Sequence, residues 1–172
     1  MNLYLMRHGI ALSANDASVA SDEERPLSAK GAKRLRRAAK GMRRLGLSFD
    51  ALLTSPLTRA RQTADIVAAA LAAETLVEEI PDLSPEGTVE HLLFGLTRYQ
   101  DRGDLLLVGH EPLMSAAAAH LLTGKSARGA MDIEFKKGAL CRIEIDALPP
   151  PGPGKLHWFL TPKQLRAIGA DG

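Results

Sequence analysis

Apolar positions along this chain follow two periods in turn. Short, nearly unbroken apolar runs at 2–6, 50–54 and 104–109 read as strands. A further strand is predicted at 75–79, and three more, at 132–136, 139–145 and 155–161, crowd the end of the chain. Between the strands the apolar residues recur at helical spacing. The stretch 28–45 sets Ala32, Leu35, Ala39 and Met42 on one stripe, with Ser28 as its predicted N-cap. The stretch 56–72 repeats the pattern with Ala60, Ala64, Val67, Ala68 and Leu71. Ser55 is its predicted N-cap and Pro56 its first helical residue. Helices are also predicted over 88–99, over 112–122 opening with Pro112, and, as a short segment, after Pro162.

This alternation predicts an α/β fold, a three-layer sandwich with a mostly parallel central sheet flanked by helices. The crowded last strands predict some antiparallel pairing. The run from Pro149 to Gly154 resembles a domain linker in composition, but Leu156, Trp158 and Leu160 alternate beyond it as in a half-buried strand. It is therefore read as a stiff surface connection between two strands. A length of 172 residues, with no internal repeat, fits one domain spanning 1–172.

Composition changes this picture in three places. The lone cysteine, Cys141, excludes a disulfide framework, and its place in an apolar strand predicts a buried structural thiol. No apolar run is long enough to cross a bilayer, and the first residues lack the basic-then-apolar pattern of a secretory signal. A cytoplasmic location without a membrane partner is expected. The net charge of +2 hides an asymmetry: Lys30, Lys33, Arg34, Arg36, Arg37, Lys40, Arg43 and Arg44 all fall in 28–45, which holds no acid. That stretch reads either as a solvated face or as a docking surface for an acidic partner. Aromatic residues make up only 4% and no nucleic-acid motif is present, so nucleic acid is not an expected partner.

The candidate chemistry follows directly on three strands. Leu3–Met6 leads into Arg7-His8-Gly9, Ala51–Thr54 into Ser55-Pro56-Leu57-Thr58-Arg59, and Leu105–Val108 into Gly109-His110-Glu111-Pro112. Ligands of open α/β sheets bind outside the carboxyl ends of the strands. If these strands are parallel neighbours, Arg7, His8, Arg59 and His110 meet in one pocket. Two of the three motifs also open a helix, whose first amides favour an anion. Two arginines and two histidines there describe a phosphate site. His91, His120 and His157 read as packed or surface residues. The histidines lack metal-ligand spacing, so no metal site is expected.

These motifs, in this order, resemble the histidine phosphatase superfamily, which also contains the cofactor-dependent phosphoglycerate mutases. The matching residues are Arg7-His8-Gly9, then Ser55-Pro56 with Arg59-Ala60 and Thr63-Ala64, then Gly109-His110. Within it, Arg25-Pro26-Leu27-Ser28 with Gly31, Leu83-Ser84-Pro85, and Trp158-Phe159-Leu160-Thr161-Pro162 resemble the SixA type of phosphohistidine phosphatase. The resemblance implies a phosphoglycerate mutase-like fold and a metal-independent phosphatase with no cofactor. It implies His8 as a transiently phosphorylated nucleophile, with Arg7, Arg59 and His110 on the phosphoryl oxygens and Arg25 as a further phosphate ligand. His8 must be neutral to attack, so its other ring nitrogen should donate to a backbone carbonyl or similar acceptor.

The general acid is open, with Glu86 and Glu111 as candidates. Glu111 also suits a helix N-terminus, and Glu86 also reads as loop surface. An imidazole leaving group has an ordinary pKa of about 6.5 and needs less protonation than an alkoxide. A site without a committed acid therefore favours phosphohistidine on a signalling or phosphotransfer protein. The connection of about 30 residues between the second helix and the His110 strand leaves little to cover the site, and 10–24 is expected to be mobile over it. The alternatives are a small-molecule phosphomonoesterase acting on a sugar phosphate, nucleotide or polyphosphate, and a non-catalytic phosphate-binding module.

Overall fold

The computed structural model describes residues 1–17, 19–124 and 131–170. The strands β1 (Asn2–Arg7), β2 (Ala51–Thr54), β3 (Val77–Glu79), β4 (Asp104–Gly109), β5 (Leu140–Glu144) and β6 (Lys155–Leu160) form one sheet in the order β3-β2-β4-β1-β5-β6. The first four in that order pair in parallel. β5 runs antiparallel to both β1 and β6, so five of the six strands share a direction.

Side-chain alternation along the central strands feeds a core on each face. Tyr4 and Met6 of β1, with Leu106 and Val108 of β4, meet α1 (Ala29–Arg44), α2 (Thr58–Leu71) and Leu165 of α5 (Pro162–Ile168). Leu3 and Leu5, with Leu105 and Leu107, meet α3 (Val89–Gly95) and α4 (Leu113–Thr123). Two helical layers around a central sheet give the three-layer sandwich. The apolar runs Leu3–Met6 and Leu105–Val108 are 4% exposed or less throughout.

Several boundaries differ from the pattern in the sequence. The segment 132–136 is not a strand. β5 is already paired with β1 on one side and β6 on the other, so no sheet edge is left for it there. The segment instead crosses the sheet end, burying Phe135 against Phe159 with ring centroids 4.9 Å apart. The second helix starts at Thr58, not Pro56, with Leu57 at the N-cap and no capping side chain. Ser55, read as that cap, turns its hydroxyl elsewhere. The third helix ends at Gly95 and tightens to a 3-10 turn over Leu96–Tyr99. α4 starts at Leu113, with Pro112 at its N-cap. The proline run does connect two strands, β5 and β6.

Candidate active site

Parallel register brings the three motif-bearing strand ends to one level. β4 lies between β1 and β2, with Arg7 opposite Gly109 and Thr54 opposite Val108. The ladder continues one residue further. The His8 amide donates to the Gly109 carbonyl at 3.0 Å, and the Ser55 amide to the Val108 carbonyl at 3.0 Å. His8 and His110 thus leave the sheet side by side, ring centroids 4.9 Å apart.

Both imidazoles have an assigned tautomer. His8 Nδ1 lies 2.7 Å from the Gly9 carbonyl, which can only accept. Nδ1 therefore carries the hydrogen and Nε2 keeps its lone pair. His110 Nε2 lies 2.9 Å from Ser55 Oγ. That oxygen accepts the Leu57 amide at 3.2 Å. Ser55 is fully buried, and its hydroxyl hydrogen has His110 Nε2 as its acceptor, so the proton of His110 sits on Nδ1. Burial, followed by the charge of His110 and opposed by the Gly9 bond, pushes His8 down to about 3, with Arg59 and Arg7 adding to the effect. Burial, followed by the Arg59 charge, pushes His110 down to about 4. Both rings are neutral at pH 7.

The arginines surround this pair. Arg59, 4% exposed on the first turn of α2, donates from Nη1 to the Asp22 carbonyl at 2.7 Å and from Nη2 to the Asp22 carboxylate at 3.0 Å. The other oxygen of that carboxylate pairs with Arg25 Nη2 at 2.7 Å. Arg7 Nη1 donates to the Phe135 carbonyl at 2.7 Å. Among the described residues, seven buried side-chain polar atoms lack a partner, and four of them are Nε of Arg7, Arg25 and Arg59 and Nδ1 of His110. Unpaired buried donors are costly, and their concentration here suits a ligand rich in acceptor oxygens.

Supporting contacts explain other motif positions. Thr63 Oγ1 accepts the Gly9 amide at 3.0 Å and donates to the Arg59 carbonyl at 2.7 Å, tying the loop after β1 to α2. Gln62 accepts the Leu27 amide at 2.8 Å, fixing the turn that carries Arg25. Gly9 has no positive φ; a Cβ there would press on Leu27 Cδ2 at 3.1 Å, so its role is close packing. A Cβ on Gly31 would overlap the Ile10 carbonyl. The segment 10–24, apart from Ser18, which lies outside the described residues, is strapped down at its ends. Leu12 donates to the Pro26 carbonyl, Ser28 to that of Ile10, and Thr58 to that of Glu23.

The two acid candidates diverge. Glu86 is an exposed loop residue whose charge is felt by Arg59. Glu111 turns away to α4, where its Oε2 lies 2.6 Å from Ser115 Oγ. Two residues the sequence reading missed belong to the site. One is Asp22, which bridges Arg25 and Arg59; its place three residues before Arg25 was the only signal. The other is Lys137, an exposed residue that shares a depression with Gly9 and whose pKa is lowered by partial desolvation and then by the charges of Arg7, Arg25 and Arg59. Lys137 was hidden just past a segment misread as a strand. His157 pairs with Glu144 away from the site, and no cluster of three metal-ligating side chains occurs among the described residues. Cys141 is buried, its thiol pushed up to about 12 by burial. Among the described residues, no helix is long and apolar enough to cross a membrane.

A family model of the histidine phosphatase superfamily (branch 1) matches residues 3–84. An uncharacterized protein of Picosynechococcus sp. is 43% identical over 170 residues, covering 96% of this chain and 99% of its own. The phosphohistidine phosphatase SixA of Escherichia coli strain K12 is 30% identical over 172 residues, covering 99% of each chain. A solved structure of the protein histidine phosphatase SixA complexed with tungstate superposes with a TM-score of 0.81 at 28% identity, covering 96% of this chain and 99% of that one.

Proposed function

This chain belongs to the histidine phosphatase superfamily and is a SixA-type member of it, and from that premise we propose that it removes phosphate from phosphohistidine on a protein. The observation that carries the reading is a neutral, tautomer-fixed His8 beside three arginines whose Nε atoms, with Nδ1 of His110, are buried without protein partners. His8 Nε2 attacks phosphorus, and the bond from phosphorus to the substrate's imidazole nitrogen breaks. That ring, protonated beforehand at its other nitrogen, leaves as neutral imidazole with the electron pair of the broken bond. Water then attacks the His8 phosphoramidate, releasing inorganic phosphate and returning His8 to its neutral form.

Arg7, Arg25, Arg59 and the Nδ1 hydrogen of His110 are suited to the phosphoryl oxygens as charge builds on them. The Asp22 carboxylate holds Arg25 and Arg59 in place and gives way to the phosphoryl group. No metal or cofactor enters these steps. Glu111 is engaged with Ser115 and Glu86 is exposed, so neither is committed as a proton donor. That supports a leaving group that departs without strong acid help, as imidazole does. The mouth of the site is superficial, since the Asp22 side chain is 54% exposed while Arg59 beneath it is 4%. A histidine on a folded protein can reach such a site in the cytoplasm, the expected location.

One observation favours a second reading, hydrolysis of a small phosphomonoester. A groove of about 560 Å³, lined by Gly87, Thr88, Pro112, Leu113 and Ser115 among others, lies next in sequence to both acid candidates and could take a compact leaving group. Initial rates without added metal separate the two. A phosphohistidine peptide should lose phosphate much faster than a phosphoserine peptide, with tungstate inhibiting and His8→Ala inactive. Equal or faster phosphoserine turnover would move the assignment to a phosphomonoesterase. Binding of phosphate without any turnover would leave a non-catalytic module.

A further inference from the structure

The basic face of α1 is organised by its neighbour. Lys30, Lys33, Arg34 and Arg37 fall at helical spacing on one stripe. α5 packs so closely that a Cβ on Gly41 would overlap the Leu165 carbonyl, and one on Gly169 the Arg37 carbonyl. This brings Arg166 beside Arg34 and Arg37, whose charges add to burial in lowering its pKa. Among the described residues, these five cations alone line a groove of about 330 Å³. None of their side chains has a hydrogen bond or an ion pair among the described residues. A second depression shares Arg34 and Arg166 and runs past Lys137 to Gly9, the residue after His8. Lys137 in turn lies in the field of Arg7, Arg25 and Arg59. Positive charge is thus continuous from the phosphoryl site to the α1–α5 groove.

Folding stability does not account for this arrangement. The first turn of α1 holds no acid, although the helix dipole favours acids there and disfavours Lys30. Five like charges around one groove repel one another. A local rule broken without compensation inside the fold points to a function outside it.

We propose that the α1–α5 groove docks the carboxylates of an acidic helix on the phosphoprotein substrate, beside the histidine presented to His8. This rests on the phosphohistidine reading above. Lys30 to Arg37 spans about 10 Å at the helical rise, matching acids at i, i+3 or i+4, and i+7 on a partner helix. The groove has no aromatic side chain to stack a base, which favours protein carboxylates over nucleic acid.

The test uses two helical phosphohistidine peptides, one with Glu at those spacings and one with Gln, together with free phosphohistidine. The wild-type protein should turn over the Glu peptide with a kcat/KM about tenfold above the Gln peptide, expressed in KM and narrowed by salt. The double variant Lys33→Glu, Arg37→Glu should abolish that preference and instead favour a Lys-bearing peptide, with free phosphohistidine turnover unchanged. Equal rates for the Glu and Gln peptides in the wild type would overturn the docking groove. So would a variant that loses activity equally on all three substrates. An oligonucleotide whose binding is lost in the variant while the peptide preference survives would reassign the groove to nucleic acid. If no phosphohistidine substrate is turned over, the functional reading fails by itself. The groove is then judged by whether His8→Ala protein binds the Glu peptide more tightly than the Gln peptide and loses that difference with the two charge reversals.

Discussion

His8 and His110 are kept uncharged by burial and by neighbouring positive groups, and this ties the fold to pH. Each has a folded-state pKa lowered from the ordinary 6.5, to about 3 and about 4. Below 6.5 the unfolded chain binds protons that the folded chain refuses. The contribution is therefore complete above pH 6.5 and is lost as pH falls toward the folded values. At pH 5 the loss is about 2 kcal/mol for each ring. Urea unfolding at pH 7 and pH 5 should show it, and His110→Gln should remove about half of it; an unchanged pH difference in that variant would refute the assignment. At this scale the sequence was informative about identity and weak about reason. His8 and His110 were legible because each follows a strand end directly, and Arg59 because it closes the motif that begins at Ser55 after β2. Ser55 was legible as a motif residue, but its role was misjudged: it orients His110 and does not cap α2. Asp22 was invisible because an ion pair made across a loop leaves no periodic trace.

Elements, more than single residues, hold the arginines in place. α2 serves twice, carrying Arg59 and using Thr63 and Gln62 to fasten the loops that bear Gly9 and Arg25. The segment 132–136 has a comparable duty toward Arg7, whose guanidinium it receives at the Phe135 carbonyl. Alternating Ile133 and Phe135 gave that segment the look of a strand, and only the pairing of β5 on both edges shows that it is none. Phe135 is 1% exposed, so Phe135→Ala should destabilise the fold by about 3–5 kcal/mol. Loss of its packing also frees the backbone that holds Arg7. Activity at a temperature where the variant remains folded should fall well below wild type, whereas Met131→Ala, at the exposed position just before that segment, should leave activity intact. Equal activity of Phe135→Ala and wild type in the folded state would separate the segment from the site.

For the whole molecule, the alternation of periods fixed the layers and the parallel core, and the strand order had to come from the structure. β1 pairs with β4 and β5, contributed by residues 104–109 and 140–144. Such long-range closure is slow to form. A chain stopped at residue 138 leaves one edge of Leu3–Met6 bare, and it should bind a hydrophobic dye and be digested by protease far faster than the full chain. Comparable resistance of the two would show that β5 is dispensable. During synthesis β1 stays unpaired until β4, residues 104–109, has been made. The group read as the nucleophile thus gains its anchor at Gly109 and its neighbour His110 only with β4, so a nascent chain stopped before that point carries the histidine without the means to use it.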